Sequence, residues 1–414
     1  MNKPETSHPL RQVPARPGKL LCLGTALLFG LASLNAVAGP REQLKRIHDR
    51  LTGTPPSNEV LAQLNSVYTG AGGGNNGLVA AALAIMDDTS DTYVSGGMGQ
   101  NFYNVTLKNM ATPWTNEAQT VFAPLNDYSA MVIGMVANND DFRELLYANY
   151  YYIGSGAPPA ATNNTHYETL ESNNANLARD LTKTNQPVSA PAGIMTTRAA
   201  ARAFYIDGTN RAMFRFTILN HLCYDLEQIK DNTRPFDRIR QDVSRSPGGD
   251  SRIFMNACAG CHAGMDPMAQ AFAYYQWDYP PGDEDGGQLV YTPGAVQPKY
   301  LINASNFKDG YETTNDAWEN RWRSGDNAWL LWDTGLPGNG QGAQSLGQEL
   351  AHSKAFAVCQ VKKVFKTVCQ RDPDVTDTAA FDAIVSDFTT ISYGGNTHNL
   401  KRAFAGAAAY CSGN

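Results

Sequence analysis

Apolar residues return at helical spacing through most of this chain. Leu44, Ile47 and Leu51, then Val60, Leu61 and Leu64, flank Gly53-Thr54-Pro55-Pro56-Ser57, which predicts a helix, a proline turn and a second helix. The same spacing predicts helices over 76–87, 100–110, 115–136 and 139–151, with Asn, Asp and Thr at hand as caps. Phe214, Ile218, Leu222 and Leu226 share one face of a helical stretch from Thr196 to Gln228, broken at Gly208-Thr209-Asn210. A polar loop over 234–249 follows. From Ser251 a helix is expected to run to Gly264, a residue suited to a left-handed C-terminal cap. Asp266-Pro267 then suits the N-cap and first position of another helix over 268–278.

Two stretches lose the period. Residues 156–195, rich in Ala, Asn, Thr and Pro, read as an irregular connection. Residues 279–310 set QLVY and KYLIN among glycines and prolines, which leaves room for one small hairpin. Trp318, Trp322, Trp329 and Trp332 then cluster, with core packing as their expected role. Two further helices are expected around Phe356–Cys369 and Ala379–Thr390. The pattern as a whole predicts a mostly α, multi-helix protein with long irregular loops and at most a small β-hairpin. It divides into an N-terminal helical region, 39–155, the connection 156–195, a central region 196–310 and a C-terminal helical region 311–414.

The first 38 residues have a different character. Lys3, Arg11, Arg16 and Lys19 precede the apolar run Leu20–Leu34, and Ala36-Val37-Ala38 follows as a small-x-small cleavage site. A basic start, an apolar stretch too short to span a bilayer and such a site describe a cleavable signal peptide over 1–38. The mature protein is then expected in the periplasm or outside the cell, with no membrane span. Losing those four basic residues and Glu5 takes the formal net charge from −6 to about −9. That charge repels nucleic acid and anionic lipid, and favours a partner with a basic docking face.

The sharpest chemical signal is Cys258-Ala259-Gly260-Cys261-His262, the C-x-x-C-H pattern of covalent haem c attachment. Two thiols three positions apart on one helical turn can add to two vinyl groups, and the next residue places an imidazole under the iron. Cys258 and Cys261 are thus the expected anchors and His262 the proximal iron ligand. Ala259 and Gly260 leave room for the macrocycle. A plain disulfide, a thioredoxin-like redox pair or half of a zinc site would use the same cysteines. No second Cys/His pair stands at zinc-ligand spacing, and no βαβ alternation surrounds the motif.

After signal cleavage the other cysteines are Cys223, Cys359, Cys369 and Cys411, an even number suited to an oxidising compartment. If 354–369 is one helix, Cys359 and Cys369 lie about 15 Å apart along its axis and cannot join. The expected pairing is Cys369 with Cys411 and Cys223 with Cys359, against the crossed alternative.

The strings AGIMTTRAAARAF, NRAMFRFTILNHLCYDLEQI and CAGCHAGMDPMAQAFAYYQWD together resemble the planctomycete cytochrome-like family, as do RIHDRLTGTPPS near the start and AFAVCQVKKVFKTVCQRDP near the end. The resemblance implies a secreted, multi-helix protein built around one covalently bound haem, and implies that more firmly than any activity. A small soluble cytochrome c takes its sixth iron ligand from a methionine well downstream of the motif, but no methionine follows Met268 here. Met195 and His352 are the leading alternatives; Met213, His48, His166, His221 and His398 also stand open, as does an iron with no sixth ligand. Met265 and Met268 are too close in sequence to cross the haem easily.

Three functions fit these residues. The first is an exported mono-haem c-type cytochrome carrying single electrons. The second is a c-type haem oxidoreductase, peroxidase-like, with an open iron site. It draws on the amount of protein around one haem. The third is a secreted structural or binding protein with a non-catalytic haem.

Overall fold

In the computed structural model the N-terminal pattern folds as its spacing predicts. Pro40–Thr52 is a helix with Leu44, Ile47 and Leu51 buried, and Gly53 ends it at φ 72°. That left-handed backbone is cheap only for glycine. The Ser57 side chain accepts a hydrogen bond from the Val60 amide and so starts the helix Asn58–Gly70. Gly74–Asp87 completes the trio. The structure describes residues 38–89, 98–206 and 208–413; the expected signal peptide lies outside them except for Ala38.

The last helix, Leu400–Ser412, packs against Gly74–Asp87 and Pro40–Thr52 on one side and against Lys354–Cys369 and Thr378–Thr390 on the other. Ala403, Phe404, Ala407 and Ala408 are fully buried in it. Small alanines let the helices approach closely, and Phe404 meets the Phe102 ring edge-on at 4.9 Å. Burying a side chain such as Phe404 stabilises the fold by about 1.5–3 kcal/mol. The first and last helices of the described residues therefore pack together, and the residues from Ala38 onward form one unit.

The protein is mostly helical, but several boundaries differ from expectation. The helix expected over 115–136 begins only at Asp127. Asn126 and Ser129 form a reciprocal cap there, and residues 112–115 are a 3₁₀ turn. The helix expected over 139–151 is replaced by a 3₁₀ turn, Phe142–Leu146, and a strand, Tyr150–Ile153. Three consecutive tyrosines and an isoleucine favour a pleated surface, and the Tyr152 ring lies against Gly134, where a β-carbon would collide. The connection 156–195 is not wholly irregular: it holds the helix Thr165–Ser172, anchored by buried Tyr167, and the strand Thr182–Asn185.

In place of at most one hairpin there are three two-stranded antiparallel ribbons among the described residues. Tyr150–Ile153 pairs with Thr182–Asn185, Tyr275–Asp278 with Gln288–Tyr291, and Ala317–Glu319 with Asn339–Gln341. QLVY does form a hairpin, though with YQWD and not with KYLIN, whose first three residues end the 3₁₀ turn Pro298–Leu301. The helix expected over 268–278 gives way because Tyr275 and Trp277 alternate inward from that ribbon.

Gly264 is not a cap, and Asp266-Pro267 does not start a helix. One helix, Ala259–Ala269, runs through all three residues. Trp318, Trp322 and Trp332 are buried as expected, whereas Trp329 is half exposed. Among the described residues no helix is long and apolar enough to cross a membrane.

Candidate functional site

The segment carrying C-x-x-C-H is built from a capped start. The Asp250 side chain accepts from the Arg252 amide, Ser251–Ile253 makes the first turn, and Phe254–Cys258 is a π turn leading into Ala259–Ala269. A π turn inserts an extra residue into the helical ladder, a device frequent at functional sites. Small residues line the helix where neighbours press closest: Gly260 lies against Asn232, and Gly264 against the Trp322 indole.

Of the two pairings that the spacing left open, the structure holds the uncrossed one. Cys223 is joined to Cys359 and Cys369 to Cys411, with Cα separations of 5.3 and 5.6 Å. These bonds fasten the residue just past the helix Arg211–His221 to Lys354–Cys369, and that helix to Leu400–Ser412. Cys258 and Cys261 remain unpaired and half-buried. Cys258 packs against a small cluster of Ile239, Phe254 and Ala259. The Cys261 sulfur lies 3.5 Å from the Leu226 carbonyl, and burial, reinforced by Glu227, pushes its thiol up to about 11.

His262 is held from one side. Its Nδ1 is 3.1 Å from both carboxylate oxygens of Asp266, one helical turn further on. Nε2 makes no hydrogen bond among the described residues, so it is the nitrogen free to act as a ligand. Asp266 is buried, and Arg211 grips it through Nε at 2.7 Å and Nη2 at 3.1 Å. Burial alone would push this carboxyl up, but Arg211 and His262 hold it well below the ordinary carboxylate range. Arg211 also forks onto Asp242 at 2.6 and 2.9 Å.

A groove of about 620 Å³ opens beside His262, lined by Met265, Phe216, Leu226 and Ala212 with Arg211, Arg215 and Glu117. It exists because Ala259–Ala269 packs on the helix Arg211–His221, whose Arg211, Ala212, Arg215 and Phe216 face it. Its volume is that of a small-molecule or cofactor pocket.

The structure places Cys258 at the end of the π turn and Cys261 and His262 on the helix that follows; of these three only His262 lines the groove, and neither Met195 nor His352 does. Met195 is fully buried beside Gly347. His352 turns its Nδ1 toward Asp333 at 3.3 Å and its ring toward Tyr147. His48, His166, His221 and His398 are engaged with Thr54, Gly154, Tyr128 and Thr397 respectively. Among the described residues no group of three or more His, Cys, Asp or Glu side chains is placed to hold a metal ion.

Sequence reasoning missed Arg211, Asp242 and the partnership of Asp266 with His262. The signal was present in the i, i+4 spacing of His262 and Asp266, but Asp-Pro reads first as a helix start. Comparison with known proteins adds no further assignment: no family model, curated protein or solved structure matches the chain.

Proposed function

We propose that this protein is an exported mono-haem c-type cytochrome that carries single electrons. The observation that carries the reading is the division of its cysteines. Four are joined in two disulfides, while the two of C-x-x-C-H stay unpaired on one helical turn beside a histidine with a free Nε2. The residues fit the group. Cys258 and Cys261 would form the thioethers, His262 would hold the iron, and Phe216, Leu226 and Met265 offer apolar walls. When bound, the haem supplies one-electron redox chemistry; the chain fixes it in place and sets the polarity around it.

The basic start and A-x-A site of the sequence support export to the periplasm or beyond, and the acidic net charge supports a redox partner with a basic docking face. The motif-level resemblance to planctomycete cytochrome-like proteins runs the same way. A second reading, a haem oxidoreductase with an open iron position, draws on the groove itself: apart from His262 and from Met265 on the same helix, no described residue lining it is a methionine or histidine.

The test is an optical spectrum of protein matured with its signal and a haem c attachment system, oxidised, reduced and then exposed to cyanide or CO. Sharp reduced bands unmoved by ligand support the electron carrier. Bands that shift readily favour the oxidoreductase, and a chain without covalent haem overturns both.

A further inference from the structure

The contact between Asp266 and His262 bears on how the iron would be tuned, and its meaning rests on the haem reading above. The two residues stand four positions apart on one helical face, with Nδ1 at 3.1 Å from each carboxylate oxygen. The carboxylate is sealed from solvent and braced by two nitrogens of Arg211 and, at 3.4 Å, by the Arg240 amide. Arg211 has a second anionic partner in Asp242, bound through paired hydrogen bonds. Neutralising Arg211 therefore does not by itself account for Asp266. A buried carboxylate that accepts from Nδ1–H fixes the ring tautomer, points the Nε2 lone pair outward and raises the basicity of the imidazole as a ligand.

We propose that Asp266 is a positioning residue that holds His262 as an Nδ1-protonated, electron-rich axial ligand and so lowers the reduction potential of the iron, with Arg211 and Asp242 fixing Asp266 in place. A more basic ligand favours the ferric state over the ferrous one. The acidic partner thus acts on the iron through the ring and not through bulk charge alone.

The experiment uses the full chain, matured with covalent haem, as wild type, Asp266→Asn and Asp242→Asn. Asp266→Asn keeps the shape and removes the charge that meets Nδ1. Asp242→Asn removes the same charge from the far edge of Arg211. Asp266→Asn is expected to raise the midpoint potential by the equivalent of at least a tenfold change in the ferric to ferrous ratio, about 59 mV for one electron. Asp242→Asn is expected to move it much less. Equal shifts in the two variants, or no shift with haem attached, overturn the proposal.

If Asp266→Asn does not fold, wild type decides the matter. In reduced, CO-treated protein containing ¹⁵N-histidine, the His262 Nδ1 proton is expected well downfield of an ordinary imidazole N–H and slow to exchange. An unshifted, fast-exchanging proton overturns the proposal. A wild-type chain with no covalent haem overturns the haem reading and this proposal together, and differs visibly from an unmoved potential.

Discussion

Gly264 lies directly against the indole of Trp322, with no room for a β-carbon between helix and ring. Trp322 is fully buried, so the ring cannot swing into solvent. Gly264→Ala should therefore push the helix carrying Cys258, Cys261 and His262 away from its neighbour, at a cost of about 1–3 kcal/mol. Urea unfolding of the variant beside the parent measures this. Equal stability would mean that the ring yields freely.

The bond between Cys223 and Cys359 spans 136 residues of sequence. Replacing both cysteines with alanine frees a long loop in the unfolded chain and should cost about 2–5 kcal/mol. The loss should appear as a lower urea midpoint, and reducing the parent, which also opens Cys369–Cys411, should lower it at least as far. A double variant with an unchanged midpoint would remove this bond from the account of stability.

His221 is fully buried and hydrogen-bonded through Nε2 to the Tyr128 hydroxyl at 2.7 Å. Burial, with Lys363 nearby, holds its pKa well below the usual 6.5. The unfolded chain takes up a proton near pH 6.5 that the native chain refuses, so the unfolded state binds more protons below that pH. Stability should then fall as pH drops from 7 to 5, with His221 contributing up to about 1.4 kcal/mol per pH unit. His221→Gln should flatten the slope by that share. Unfolding midpoints across this range test it, and an identical slope in the variant would refute it.

The chain from residue 39 onward, produced without haem attachment and then denatured under non-reducing conditions, should expose two reactive thiols. Alkylation and peptide mass mapping should locate both, at Cys258 and Cys261. A different pair of modified cysteines would overturn the disulfide pattern, and none at all would mean that Cys258 and Cys261 had joined each other.

Much of this site was legible because its signals are local. Five adjacent residues carry the C-x-x-C-H motif, and helical rise alone separates Cys359 from Cys369 enough to forbid their pairing. The place of Asp266 was not legible, because its meaning comes from Arg211, 55 residues away, while Asp-Pro in isolation reads as a helix start. The fold shows the same division. Amphipathic helices such as Pro40–Thr52 announce themselves by period, but Leu400–Ser412 is built on alanines whose burial depends on helices as far away in sequence as Pro40–Thr52. Tyr150–Ile153 and Tyr275–Asp278 fall in or beside stretches whose period reads as helix, and only the ribbon partner, distant in sequence for the first, makes each a strand.

Cys258 and Cys261 lie inside the loop that Cys223 and Cys359 close. The folding chain must therefore leave one pair of sulfurs reduced while oxidising four others around it, within the same environment. Thiolate exchange makes every unpaired sulfur a competitor for each new bond. Biogenesis becomes a matter of order: until the helix has docked, the motif offers two partners for a wrong crosslink, and once docked its half-buried thiols are less open to attack.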